Sequence, residues 1–168
     1  MAEPKDHLLD WLRDAHAMEQ HAEQMLRAQS GRLEHYPELK ARIDQHLQET
    51  LGQQKIVAQC IERLGGTTSV VKDLTAKMMA FGQAVGGMTM TDEVVKGSIM
   101  SYVFENLEIG SYTALIAAAE RVGDAQTKAA CEQILPQEQA MAQWLLDHIP
   151  SISNRYLERS AAGEEAKK

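Results

Sequence analysis

Phe104-Glu105-Asn106-Leu107-Glu108-Ile109-Gly110-Ser111-Tyr112 lies midway along a run, about Thr91 to Val122, whose spacing predicts a helix. Phe104, Glu108, Leu115, Ala119 and Val122 recur at i, i+3, i+4 intervals, which puts Glu108 on the face to be buried. Glu105 lies one turn earlier on the same face. A lone glutamate there loses several kcal/mol of hydration, so it must be protonated, paired or bound to a cation. The fold turns on whether other helices bring carboxylates to the same depth.

Downstream, Gly123-Asp124 joins a C-cap to an N-cap, and a helix follows to about Ile149, where Pro150 is expected to stop it. Its stripe is Cys131, Ile134, Leu135, Glu138, Met141, Ala142 and Leu145. Pro136 inside it is expected to bend the helix. Upstream, a first helix opens after Pro4 and runs to about Leu33, with Leu8, Leu12, Ala15, Ala22, Leu26 and Leu33 as its stripe and Glu19 in the middle. Pro37 starts a second helix, which Gly65-Gly66 ends near Leu64. Its inner face reads Leu39, Ile43, His46, Glu49, Gln53, Ile56, Cys60 and Leu64. Residues 67–90 are too long for a tight turn. They are expected to cross the length of a bundle, with a short helix from Ser69 to about Ala84. The glycine-punctuated stretch after it carries Met88 and Met90, which with Met78 and Met79 suit adaptable packing or a partner-facing patch.

At 168 residues and 44% hydrophobic, the chain has enough apolar material for one continuous core. Scarce proline and few aromatic or β-branched runs make the expectation all-α. One bundle domain is expected over 1–150, followed by a partly disordered tail, 151–168. The net charge of -7 and the absence of Lys/Arg clusters argue against a nucleic-acid surface. No apolar run is long enough to span a membrane, and no secretory leader opens the sequence. Cys60 and Cys131 have no disulfide-framework spacing, which fits a reducing, cytoplasmic setting.

Four predicted helices each place one glutamate near mid-length: Glu19, Glu49, Glu108 and Glu138. Glu19 and Glu49 are 30 residues apart, as are Glu108 and Glu138. Each pair straddles its turn almost symmetrically, so at about 1.5 Å rise per residue the paired carboxylates meet at nearly one height. Stacked hairpins then bring both pairs, with Glu105 as a fifth carboxylate, into one layer. No lysine or arginine is expected on these stripes near them, so a divalent cation is the economical counter-charge. Oxygen-rich ligation suits iron(II) or manganese, and two ions bridged by carboxylates are the usual form in such bundles.

The stretches Leu12-Arg-Asp-Ala-His-Ala-Met-Glu19-Gln, Pro37-Glu-Leu-Lys, His46-Leu-Gln-Glu49-Thr-Leu-Gly-Gln53 and Glu105-Asn-Leu-Glu108-Ile-Gly-Ser-Tyr112 resemble the ferritin-like superfamily. More narrowly, with a looser match around Glu138, they resemble the YciE/YciF-type bacterial stress-response proteins, over roughly residues 7–148. The resemblance implies a four-helix bundle with a long crossover between its second and third helices, a homodimer and a dinuclear metal centre. One departure matters. Di-iron bundles carry Glu-x-x-His, but Gly52 follows Glu49 and Met141 follows Glu138 at those positions. His46 and His16 instead precede Glu49 and Glu19 by one turn. The expected metal set is therefore Glu19, Glu49, Glu105, Glu108, Glu138 and His46, with His46 ligating or supporting.

Two functions compete. In one, iron or manganese in this layer reacts with oxygen or peroxide, without a catalytic residue assigned. In the other, the bundle is a non-catalytic dimeric structural or binding protein with a vestigial site. Iron storage in a cage is less favoured, because no feature argues for many subunits.

Overall fold

The computed structural model describes residues 3–68 and 91–166. Four helices account for most of them, with no strand among the described residues: α1 (Pro4–Ser30), α2 (Pro37–Arg63), α3 (Glu93–Val122) and α4 (Ala125–Ala161). α1 packs on α2 and α3, and α4 packs on α3 and α2, which leaves α1–α4 and α2–α3 as the diagonals of a square bundle. Neighbours run antiparallel. Arg32, just past α1, pairs with Glu93 at 2.7 Å, and the Ser101 hydroxyl donates to Gln29 at 3.0 Å. At the opposite end the Arg63 guanidinium donates to Asp124 at 2.9 Å. The chain therefore leaves α2 at the α3–α4 turn and resumes α3 beside the α1–α2 turn. The expected short helix from Ser69, and Met78, Met79, Met88 and Met90, lie outside the described residues.

Local chemistry explains the boundaries. Pro37 sits at the first position of α2. α2 closes on Gly65 in the left-handed region, φ 81°, with the Gly66 amide on the Ile61 carbonyl and the Gly65 amide on that of Glu62. α3 closes the same way on Gly123, φ 73°, and the Asp124 carboxylate then caps α4 by accepting from the Thr127 amide at 3.1 Å.

Two expectations are corrected. Pro150 does not stop α4, which continues to Ala161 through both Pro136 and Pro150. Proline forfeits one backbone bond, but Ile152 beyond it buries in one core cluster with Leu39, Leu145 and Tyr36, and Tyr156 packs against that cluster. The Tyr36 hydroxyl also donates to the Ala166 carbonyl at 2.6 Å, tying the last described residues back onto the α1–α2 turn. The inner face of α2 is also rotated. Thr50, Val57 and Ile61 are buried, whereas Glu49, Ile56 and Leu64 lie at its margin.

The apolar core falls into two clusters. One, around Leu8, Leu12, Ile61, Leu115 and Ile134, fills the end near the α3–α4 turn. The other, around Leu26, Leu39, Ile43, Met141 and Leu145, fills the end near the α1–α2 turn. A polar layer separates them.

Candidate metal centre

The layer contains Glu19 from α1, His46 and Gln53 from α2, Glu105 and Glu108 from α3 and Glu138 from α4, each no more than 3% exposed. Ligand atoms of His46, Glu105, Glu108 and Glu138 all lie within 4.8 Å of one another. Metal–oxygen bonds of about 2.1 Å put ligand atoms roughly 3–4 Å apart around one ion, so this spread is close to a coordination sphere.

Hydrogen bonds account for only part of the layer. The Tyr112 hydroxyl donates to Glu19 Oε1, and the Gln53 amide donates to Glu138 Oε1 and to Gln137 at 2.9 Å. The buried atoms Glu19 Oε2, Glu105 Oε2, Glu138 Oε2 and both oxygens of Glu108 have no hydrogen-bond partner. His46 Nε2 approaches Glu105 Oε2 at 3.1 Å and Glu138 Oε2 at 3.4 Å, ion-pair distances without the alignment of hydrogen bonds. The ligand atoms of His46, Glu105, Glu108 and Glu138 thus crowd together while several oxygens of the layer go without a hydrogen bond. That pattern fits a cation, since buried polar atoms otherwise find partners.

Electrostatics agree. Burial pushes the Glu108 carboxyl well above the carboxylate range, and the neighbouring Glu19, Glu138 and Glu105 push it further. Glu19 is raised by burial and by Glu138. Glu105 reaches about 7, raised by burial against the pull of His46. Burial alone would lower the His46 imidazole, but Glu105, Glu138 and Glu49 around the ring hold it well above its ordinary value. Without metal the layer must carry protons to be tolerated.

Glu19, Glu49 and His16 stand outside the four-residue group. Glu49 is 20% exposed; its Oε2 lies 2.8 Å from His46 Nδ1 and 3.4 Å from Arg42 Nη1, and its Oε1 accepts from Gln45 at 2.9 Å. Burial raises the Glu49 carboxyl, but His46, Gln45 and Arg42 outweigh it and hold the group at about 2. Arg42 corrects the expectation that no cation lies near these glutamates. Its position beside Ile43 reads as surface, yet it stands two turns before Glu49 on the same side of α2, and that i, i+7 spacing is the signal that could have found it.

The family described as a domain of unknown function, DUF892, matches residues 3–158. The chain belongs to the DUF892 family. A crystal structure of a Xanthomonas campestris pv. campestris protein is 43% identical, with a TM-score of 0.80, covering 95% of this chain and 99% of that one. The Escherichia coli stress protein YciF is 21% identical, TM-score 0.79, covering 92% and 99%. A Desulfovibrio desulfuricans bacterioferritin described with a diiron site is 21% identical, TM-score 0.74, covering 100% and 93%. The DUF892 chain thus has the ferritin-like fold expected from its sequence. No helix among its described residues is long and apolar enough to cross a membrane.

Proposed function

We propose that this DUF892 protein holds a carboxylate-bridged pair of divalent ions, iron or manganese, and reacts there with oxygen or peroxide. The observation that carries the reading is Glu108, 1% exposed with neither carboxylate oxygen hydrogen-bonded, beside the open oxygens of Glu19, Glu105 and Glu138. His46, Glu105, Glu108 and Glu138 would hold one ion, with the buried Glu19 beside them available to a second. Such ions supply the electrons and the Lewis acidity for oxidant reduction. The chain's own residues prepare the layer. Tyr112 and Gln53 orient Glu19 and Glu138 through one oxygen each, and the two apolar clusters exclude water from above and below. Glu49 accepts from His46 Nδ1 and so leaves Nε2 facing the carboxylates, as an outer carboxylate does for a ligating histidine.

Elemental analysis of the purified protein, followed by peroxide consumption after iron(II) or manganese(II) loading, tests this. Metal near two ions per chain, and turnover lost in Glu108→Ala, is the expected result. Negligible uptake, or a loaded protein inert to oxygen and peroxide, leaves the non-catalytic alternative.

The homodimer belongs to the same reading. Between Lys96 and Glu120 the charged residues of α3 are Glu105 and Glu108, both buried, so its outer face carries no charge. Ile99, Val103 and Leu107 recur along it at 41%, 45% and 51% exposure. Covering that face with a second copy is the expected use of it. Light scattering on the native chain and on Leu107→Glu checks this, with a dimer converted to monomer expected. The free, buried Cys60 and Cys131 suit a reducing cytoplasm.

A further inference from the structure

We infer that Arg42 and Glu49 form a latch over the solvent-facing side of the carboxylate layer, and that Arg42 governs how fast a divalent ion passes it. The inference rests on the metal reading above and adds a route and a positioning residue to it. Among the described residues gathered at the layer, the side chains of Glu19, His46, Glu105, Glu108 and Glu138 are at most 4% exposed. Glu49 at 20% and Arg42 at 10% are the ones that reach water, with Gln45 outside them.

These groups form a file from solvent inward. Arg42 and Gln45 hold Glu49, Glu49 holds His46 Nδ1, and the far edge of the same ring faces Glu105 and Glu138. An ion reaching the interior carboxylates by this side passes Glu49 first. Glu49 is the carboxylate of the group that reaches water, its side chain 20% exposed, which suits it to meet a cation arriving from solvent. Arg42 opposes that in two ways. Its guanidinium occupies a Glu49 oxygen, and its fixed charge repels an approaching dication. Since the latch touches the path and not the resting ion, it should act on uptake and release alike.

Cobalt(II) is the probe, followed by its visible absorption when mixed rapidly with metal-free protein and, for release, when the loaded protein is mixed with excess chelator. Arg42→Gln is expected to accelerate both uptake and release about tenfold, leaving their ratio unchanged. Arg42→Lys keeps the charge but loses the planar fork. It should fall between, and it serves as the reading if the glutamine variant is poorly folded. Equal rates in native and variant proteins, or faster release alone, overturn the latch while leaving the metal site standing. A native protein that takes up no cobalt(II) overturns the metal reading and the latch with it.

Discussion

Glu108 is the residue under greatest constraint in this molecule. Its carboxyl is buried, unpaired at both oxygens, and surrounded by three other carboxyls, so in metal-free protein it persists by staying protonated. Glu108→Gln keeps the shape and removes the acid. At pH 8 the metal-free variant should therefore melt higher than the native protein, whereas cobalt(II) affinity should fall at least about tenfold, one lost ligand being worth at least about 1.4 kcal/mol. Melting curves and a cobalt titration read the two halves separately. Tyr112 makes the complementary case. Tyr112→Phe leaves Glu19 with no donor at either oxygen, for a loss of about 1–3 kcal/mol measured by urea unfolding. An unchanged midpoint would mean that Glu19 finds another partner. At this scale Glu19, Glu108, Glu138 and His46 were legible because each interrupts an apolar stripe. Arg42 was not, since a side chain that reaches forward two turns to a marginal glutamate leaves no mark in hydrophobic periodicity.

Among the elements, α4 shows where local rules yield to packing. Pro150 carries a strong stop signal in sequence, and a backbone bond is forfeited there, but the next turns bring Ile152 and Tyr156 to the face already lined by Leu145. The stripe continues past the proline at helical spacing, and its burial outweighs one missing bond. Ile152→Ala should then cost about 2–4 kcal/mol, as for a core isoleucine, and lower the melting temperature by several degrees. A surface-like change under about 0.5 kcal/mol would show that the extension only rests against the bundle. The turns, by contrast, were readable: Gly65 and Gly123 take left-handed conformations that a side chain resists, and Asp124 caps the helix that follows. The rotation of α2 was not readable, because Glu49 and Thr50 are both polar and sequence alone cannot rank them for the inner position.

For the molecule as a whole, the buried layer sets how stability follows pH, and metal should reverse the trend. Glu105 titrates near 4.5 when unfolded and at about 7 when folded. Between those values the folded chain holds a proton that the unfolded chain lacks, so stability falls as pH rises, on the order of 3 kcal/mol from this group if it acts alone. Glu19 and Glu108, also raised, add the same sign. His46, raised by its carboxylate neighbours, contributes stability that is full below 6.5 and is lost as pH climbs through its folded value, again the same sign. Glu49 runs oppositely: its contribution is present above 4.5 and disappears as pH drops toward 2. Metal-free protein should therefore be most stable near pH 5 and melt progressively lower at pH 6, 7 and 8. Saturating manganese(II) replaces those protons with a bound charge that competes better as protons become scarce, so its stabilisation should grow over the same interval. The two melting series should diverge with pH, the metal-free one falling while the loaded one holds or rises. Two parallel series would mean that the acidic layer is neutralised by its own hydrogen bonds, and that the ferritin-like bundle keeps its carboxylates without using them to hold an ion.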